Sequence, residues 1–305
     1  MPSKAVVIFK AIDKLFNPSQ NRRRLTKEYS KDIKVDYNIS YDKDKACTLD
    51  TYVKPCNKNK YPVLFYVHGG GFTAGDKKYR RTLAYWYAQN GFFVINVNHG
   101  LAPEYKFPSP LQQLVSALNW VVDNAEKYNL DINNIIASGD SAGAYFASLL
   151  AVTCTNENLQ KSFKVKPKIR FCGIILNCGI YDLKNALSKK VLFNLTESVL
   201  YDFTNVKLVD IDKYEYIDTC SSLSFVDENF PKTFVTYAVK DFFCGGQGEG
   251  LIEKLKEHNV YYESYGSTKF LDNHTFSLTW NSKAAKENNE KTMSFATRLV
   301  KGEIK

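Results

Sequence analysis

The five residues Gly139-Asp140-Ser141-Ala142-Gly143 constrain this chain more than any other segment of its 305 residues. They follow the apolar run Ile135-Ile136-Ala137 and precede the apolar, small-residue stretch Ala144 to Val152. A serine on so tight a strand-to-helix turn is held in a strained backbone conformation. A side chain larger than glycine two positions to either side would collide with neighbouring backbone. The hydroxyl is then presented at a helix N-terminus, where unpaired N–H groups and the helix dipole favour developing negative charge.

A second element lies upstream, where Val63-Leu64-Phe65-Tyr66-Val67 runs into His68-Gly69-Gly70-Gly71-Phe72. Three glycines after a buried strand let the backbone turn its N–H groups toward a ligand that side chains would otherwise block. Alone they would read equally well as a flexible turn. Beside the serine turn they read as an oxyanion hole.

Together these motifs resemble the hormone-sensitive-lipase-like carboxylesterases of the α/β-hydrolase superfamily. Leu49-Asp50-Thr51-Tyr52, Leu101-Ala102-Pro103-Glu104 and Phe107-Pro108 look like further landmarks of that family, in its order. The resemblance implies Ser141 as nucleophile and the backbone amides of Gly70, Gly71 and Ala142 as oxyanion donors. It gives His68 a role in shaping the loop and not that of a base. The chain departs from the pattern in three places. His99-Gly100 stands where the family has Tyr-Arg, which removes a supporting Arg contact; Ala144 replaces a glycine; and Asp241-Phe242-Phe243-Cys244 lacks a second carboxylate.

Hydrolases of this fold present their catalytic groups in the order Ser, acid, His, each after a late strand. Of four histidines, His68 and His99 precede the serine and His258 ends an expected helix in a polar stretch. His274, after the last strand Val260 to Tyr265, is therefore the expected base. Asp241 follows the apolar strand Thr233 to Val239 and is the expected acid. Asp272 is its strongest rival, while Asp227 and Glu228 read as solvated loop charges. This chemistry calls for neither metal nor organic cofactor.

Alternation of apolar runs with helical periodicities predicts an α/β-hydrolase fold: a mostly parallel central sheet covered by helices on both faces, with a small helical cap. Strands are expected within Ile33 to Val67, at Phe92 to Asn98, Ile135 to Ser138 and Phe171 to Asn177. Helices are expected at Arg81 to Asn90 and through Leu111, Leu114, Val115, Leu118, Val121 and Val122. One domain spans 1–305, with a cap of 1–44 and 182–224 and a catalytic core of 45–181 and 225–305. Val7, Ile8, Ala11, Ile12, Leu15 and Phe16 recur at helical spacing, giving one apolar stripe for a cap helix or for packing on the core. Docking of that helix on a membrane is the weaker reading because its charges are few.

Seven cysteines, an odd number without a Cys-x-x-Cys pair, suit a reducing compartment without disulfides or zinc. Cys244 is expected to line the pocket or pack as a small hydrophobe. With no apparent leader and no run of about 18 apolar residues, a cytoplasmic chain without stable membrane insertion is expected. The net charge of +9 is scattered, with Arg22-Arg23-Arg24 and Lys161 to Lys168 the dense clusters, and no nucleic-acid partner is expected. Gly245 to Gly250 matches neither phosphate-loop nor dinucleotide spacing.

The expected partner is a small-molecule acyl ester, with short acyl chains favoured and oligomeric state open. Phe72, Phe242 and Phe243 would narrow the acyl channel if they point inward. An amide hydrolase such as an arylformamidase or small peptidase would use the same machinery, and a non-catalytic small-molecule receptor would use the same fold.

Overall fold

The computed structural model describes residues 2–20, 23–56, 60–188, 195–280 and 282–304, without the side chains of 17–20 and 188. Among these residues eight strands build one sheet: β1 (Lys34–Ser40), β2 (Thr48–Val53), β3 (Tyr61–Val67), β4 (Phe93–Val97), β5 (Leu130–Asp140), β6 (Gly173–Asn177), β7 (Lys232–Ala238) and β8 (Tyr262–Ser267). Their spatial order is β1-β2-β4-β3-β5-β6-β7-β8. β1 and β2 pair antiparallel with each other and β2 with β4, while every pairing from β4 to β8 is parallel.

Parallel strands must be covered on both faces, which is why β3 to β6 read as continuous apolar runs. The two-residue period divides β3 cleanly. Val63, Phe65 and Val67 pack with Leu114, Tyr145 and Leu149 on one face, and Leu64 and Tyr66 with Tyr87 and Phe295 on the other.

Among the described residues the helices are α1 (Lys4–Gln20), α2 (Arg23–Tyr29), α3 (Arg81–Gln89), α4 (Ser109–Asp123), α5 (Ala125–Tyr128), α6 (Ala142–Thr155), α7 (Glu157–Phe163), α8 (Leu183–Ser188), α9 (Leu195–Thr204), α10 (Gln247–Glu257) and α11 (Lys283–Val300). α4, α6 and α10 cover the first face of the sheet, and α3 and α11 the second. α6 is buried nearly all round, consistent with its uninterrupted apolar sequence. None of the described helices is long and apolar enough to cross a membrane.

From Asp182 the chain carries α8, α9 and two short 3-10 turns at 208–213 and 222–225. β5 begins at Leu130, five residues before its apolar centre, because Tyr61 and Pro62 extend the pairing with β3 past a register shift. The N-terminal stripe behaves differently from its expected burial. Ala5 and Val6 are buried, Ile8, Phe9, Ile12 and Asp13 are half-buried, and Val7, Ala11, Leu15 and Phe16 face outward. Polar anchors set this rotation. Ser3 Oγ donates to Asp202 Oδ2, Ala5 N–H to Ser198 Oγ at 3.0 Å, and Gly75 N–H to Asp13 Oδ2 at 2.8 Å.

Candidate active site

Ser141 occupies the turn between β5 and α6 at φ 52°, ψ −122°, a left-handed conformation that an L-residue rarely adopts. Its neighbours explain how the chain tolerates this. A Cβ on Gly139 would meet the carbonyl carbon of Gly143 at 2.4 Å, and one on Gly143 would meet Val67 O at 2.1 Å. Ala144, where a glycine was expected, fits because Gly179 opposite has no side chain: a Cβ there would lie 2.7 Å from the Ala144 methyl. The Ser141 N–H donates to Asn177 O at 2.9 Å, tying the turn to β6.

His274 Nε2 lies 2.8 Å from Ser141 Oγ, and His274 Nδ1 lies 2.8 and 3.0 Å from Asp241 Oδ2 and Oδ1. This geometry fits the tautomer with the proton on Nδ1, donating to the carboxylate and leaving Nε2 to accept from the serine. Asp241 sits in the loop after β7. Burial pushes its carboxyl up, but the His274 charge and hydrogen bonds from His274, Cys244 N–H and Phe243 N–H outweigh it and hold the group below its ordinary value. Those two amides approach Oδ1 at 2.9 and 2.8 Å.

The other acidic candidates lie elsewhere. Asp272 is buried and accepts from Ser267 Oγ at 2.8 Å, and Asp227 accepts from Asn229 N–H within its own turn. His258 is the C-terminal cap of α10. His68 Nδ1 lies 2.8 Å from Gly69 O, and its ring stacks on His99 at 4.9 Å under the glycine loop.

That loop bends through left-handed backbone at Gly70 (φ 139°), Gly71 (φ 58°) and Phe72 (φ 64°). The amides of Gly70, Gly71 and Ala142 donate to no other group among the described residues. Gly71, Ala142 and Ser141 line one cavity of about 80 Å³. The rest of the lining is almost wholly apolar: Phe9 from α1, Phe72, Phe203 and Val199 from α9, Phe243 and Cys244 from the acid loop. Phe243 packs edge-on to the His274 ring at 5.0 Å and lies 6.1 Å from Phe9. Phe242 turns away and is exposed, so it does not narrow the channel; its N–H points in, toward Asn273 Oδ1.

Three supporting residues escaped the sequence reading. Arg80, from the turn after the glycine loop, donates through Nε and Nη2 to both oxygens of Asp140, at 2.8 and 2.6 Å, and Tyr66 OH adds a third bond at 2.8 Å. The elbow therefore has an Arg contact, supplied by a segment other than the one where its absence was noted. Burial would raise Asp140, but Arg80 holds it below its ordinary value. Asn273 bridges the loops that carry Asp241 and His274, with its Nδ2 on Lys240 O at 2.9 Å and its Oδ1 accepting the His274 N–H at 2.7 Å. Cys178, at φ 49° after β6, is buried against Asp241. Its sulfur, the Asp241 carboxylate and a His274 nitrogen lie within 4.8 Å of one another. This set suits a metal poorly. Both imidazole nitrogens are already engaged, and burial followed by the Asp241 charge pushes the thiol up and away from the thiolate that binds metals.

An eight-stranded sheet with a serine elbow on its central strand and helices on both faces is the α/β-hydrolase fold. The sequence signature of the BD-FAE family matches residues 49–254, and the chain belongs to that family, whose members are hormone-sensitive-lipase-like α/β hydrolases. An α/β hydrolase of Acanthamoeba polyphaga mimivirus is 34% identical over 154 residues, covering 48% of this chain and 43% of its own length. Among solved structures, esterase B of Lactobacillus rhamnosis superposes with TM-score 0.78 at 19% identity, over 98% of this chain and 97% of that one. A bacterial heroin esterase gives 0.76 at 18% identity over 95% and 90%. A hyperthermophilic esterase of the archaeon Pyrobaculum calidifontis gives 0.71 at 20% over 97% and 94%. These structural likenesses establish the fold.

Proposed function

We propose that the protein is a serine carboxylesterase acting on short-chain acyl esters, with Ser141 as nucleophile, His274 as general base and Asp241 as its orienting acid. The observation that carries this reading is the relay at 2.8 Å on either side of the imidazole, opening onto an apolar cavity. His274 would take the Ser141 proton as Oγ attacks the acyl carbon, with Asp241 stabilising the imidazolium. Unpaired amides of Gly70, Gly71 and Ala142 suit the oxyanion, each worth about 10²- to 10³-fold in rate. The imidazolium then protonates the leaving alcohol, and a water activated by the same base releases the acid.

The cavity supports short acyl groups, because Phe9, Phe72 and Phe203 wall it and leave only about 80 Å³. One esterase B structure carries a tributyrin phosphonate inhibitor, which is consistent with short acyl chains in this fold. The cap in this reading consists of residues 1–44 and 182–224, among which α1, α8 and α9 supply cavity walls. Labelling by a fluorophosphonate that is lost in Ser141→Ala tests the nucleophile. Kinetics on p-nitrophenyl acetate, butyrate, octanoate and palmitate, with a formanilide in parallel, test the substrate. A maximum at the longest ester, or faster turnover of the formanilide, would overturn the short-ester assignment.

A further inference from the structure

The outer rim of the site is apolar and basic at once. On α1, Val7, Ala11, Leu15 and Phe16 face solvent, Leu15 with 74% of its surface exposed. Beside it stand the loops 239–243 and 268–271, in which Phe242, Phe270 and Leu271 are 59%, 63% and 91% exposed. The two segments are neighbours: the Phe242 and Phe270 rings lie 6.3 Å apart, and Phe243, next in the chain, lies 6.1 Å from Phe9 of α1. Every exposed ionisable side chain described on them is a lysine, Lys4, Lys10 and Lys14 on the helix and Lys240 and Lys269 on the loops. Their carboxylates are turned inward, Asp13 to Gly75 N–H and Asp241 to His274, and Asp272, next in the chain, goes to Ser267.

Large apolar side chains left in water need a compensating partner, and here they stand beside Phe9 and Phe243, which line the apolar cavity that holds Ser141. They project from a helix and two loops, interspersed with ammonium groups only. A fluid surface with apolar depth and anionic headgroups matches both properties: the apolar tips enter the acyl boundary while the lysines pair with the headgroups. The helix alone is sparsely charged, but the fold adds the two loop lysines to its three.

We propose that this face docks the protein onto anionic lipid surfaces, with α1 in the plane of the surface and Phe242, Phe270 and Leu271 inserted. Docking is independent of the ester chemistry, because no residue of the proposed relay takes part in it.

The test is co-sedimentation of the full chain with sucrose-loaded phosphatidylcholine vesicles, with and without about 30 mol% phosphatidylglycerol. Binding to the anionic vesicles is expected to be at least about tenfold tighter than to neutral ones, and to weaken between about 0.1 and 0.5 M salt. Joint Lys10→Glu, Lys14→Glu, Lys240→Glu and Lys269→Glu should abolish it, and Phe270→Ser with Leu271→Ser should weaken it about tenfold. A charge-matched control, Lys34→Glu, Lys127→Glu, Lys161→Glu and Lys166→Glu, should bind nearly as the parent does. Equal loss in that control would mean that diffuse net charge and not this face is responsible. Equal binding to neutral vesicles would overturn the anionic preference. Binding to neither, with self-association by light scattering, would assign the face to a second copy of the chain. Melting curves confirm that these exposed substitutions leave the protein folded, and turnover of a water-soluble ester, read separately, distinguishes failure of docking from failure of the esterase reading.

Discussion

Asp241 is mostly buried and yet held ionised, because the imidazole and two backbone amides converge on it. Replacing it by Asn keeps the shape but presents an N–H to His274, favouring the wrong tautomer; kcat should fall about 10⁴-fold with the fold retained. Ser141→Ala and His274→Ala should each lower kcat by about 10⁴- to 10⁶-fold, measured on one soluble ester. Gly71 is constrained twice. Its φ of 58° disfavours any side chain, and a Cβ would lie 2.3 Å from the Phe9 ring. Gly71→Val should therefore abolish turnover and also displace α1, visible as faster proteolysis of the N-terminus; wild-type kinetics would remove this loop from the mechanism. Arg80 shows the opposite constraint, a charge that must stay. Arg80→Ala leaves Asp140 buried and unpaired, and a loss of about 3–5 kcal/mol in stability is expected by urea unfolding.

At the scale of elements, α1 joins the glycine loop to the cap. It reaches Gly75 through Asp13, α9 through Ser3 and Ala5, and the cavity through Phe9. Phe9→Ala should enlarge the cavity and move the kcat/KM optimum to longer acyl chains, while lowering the melting temperature little because the ring is only half-buried. An unchanged ester profile with a large stability loss would make the helix a packing element. The strands were legible because burial on both faces demands unbroken apolar runs. The orientation of α1 was not. Its periodicity predicts a helix, but three hydrogen bonds to distant residues decide which side faces inward, and they turn part of the apolar stripe outward.

For the whole molecule, the stacked pair His68 and His99 couples stability to pH. Burial, with the neighbouring His68 charge, pushes His99 down to about 3 from an ordinary 6.5, and burial lowers His68 as well. Both depressed values mean that the unfolded chain takes up protons first as pH falls below about 6.5. The His99 contribution is thus complete near neutrality and declines toward pH 3, by up to about 1.4 kcal/mol per pH unit, and that of His68 declines in the same direction. Melting temperature should fall across that window, and His99→Phe should flatten the fall; an identical slope in the variant would assign it to other groups.

The sequence by itself determined the α/β alternation, the serine elbow and glycine loop, and the order of the catalytic candidates, since each rests on local spacing and local backbone strain. Asp241, which follows an apolar strand, was the expected acid there, with Asp272, two residues from His274 in the chain, its rival. Only the tertiary structure put Asp241 on the imidazole and Asp272 on Ser267, brought Arg80 across 60 positions to Asp140, and turned Phe242 outward while Phe243 turned in. Partner choice among distant charges and rings depends on which elements pack together, and packing is a property of the assembled sheet and its helices, not of any one segment.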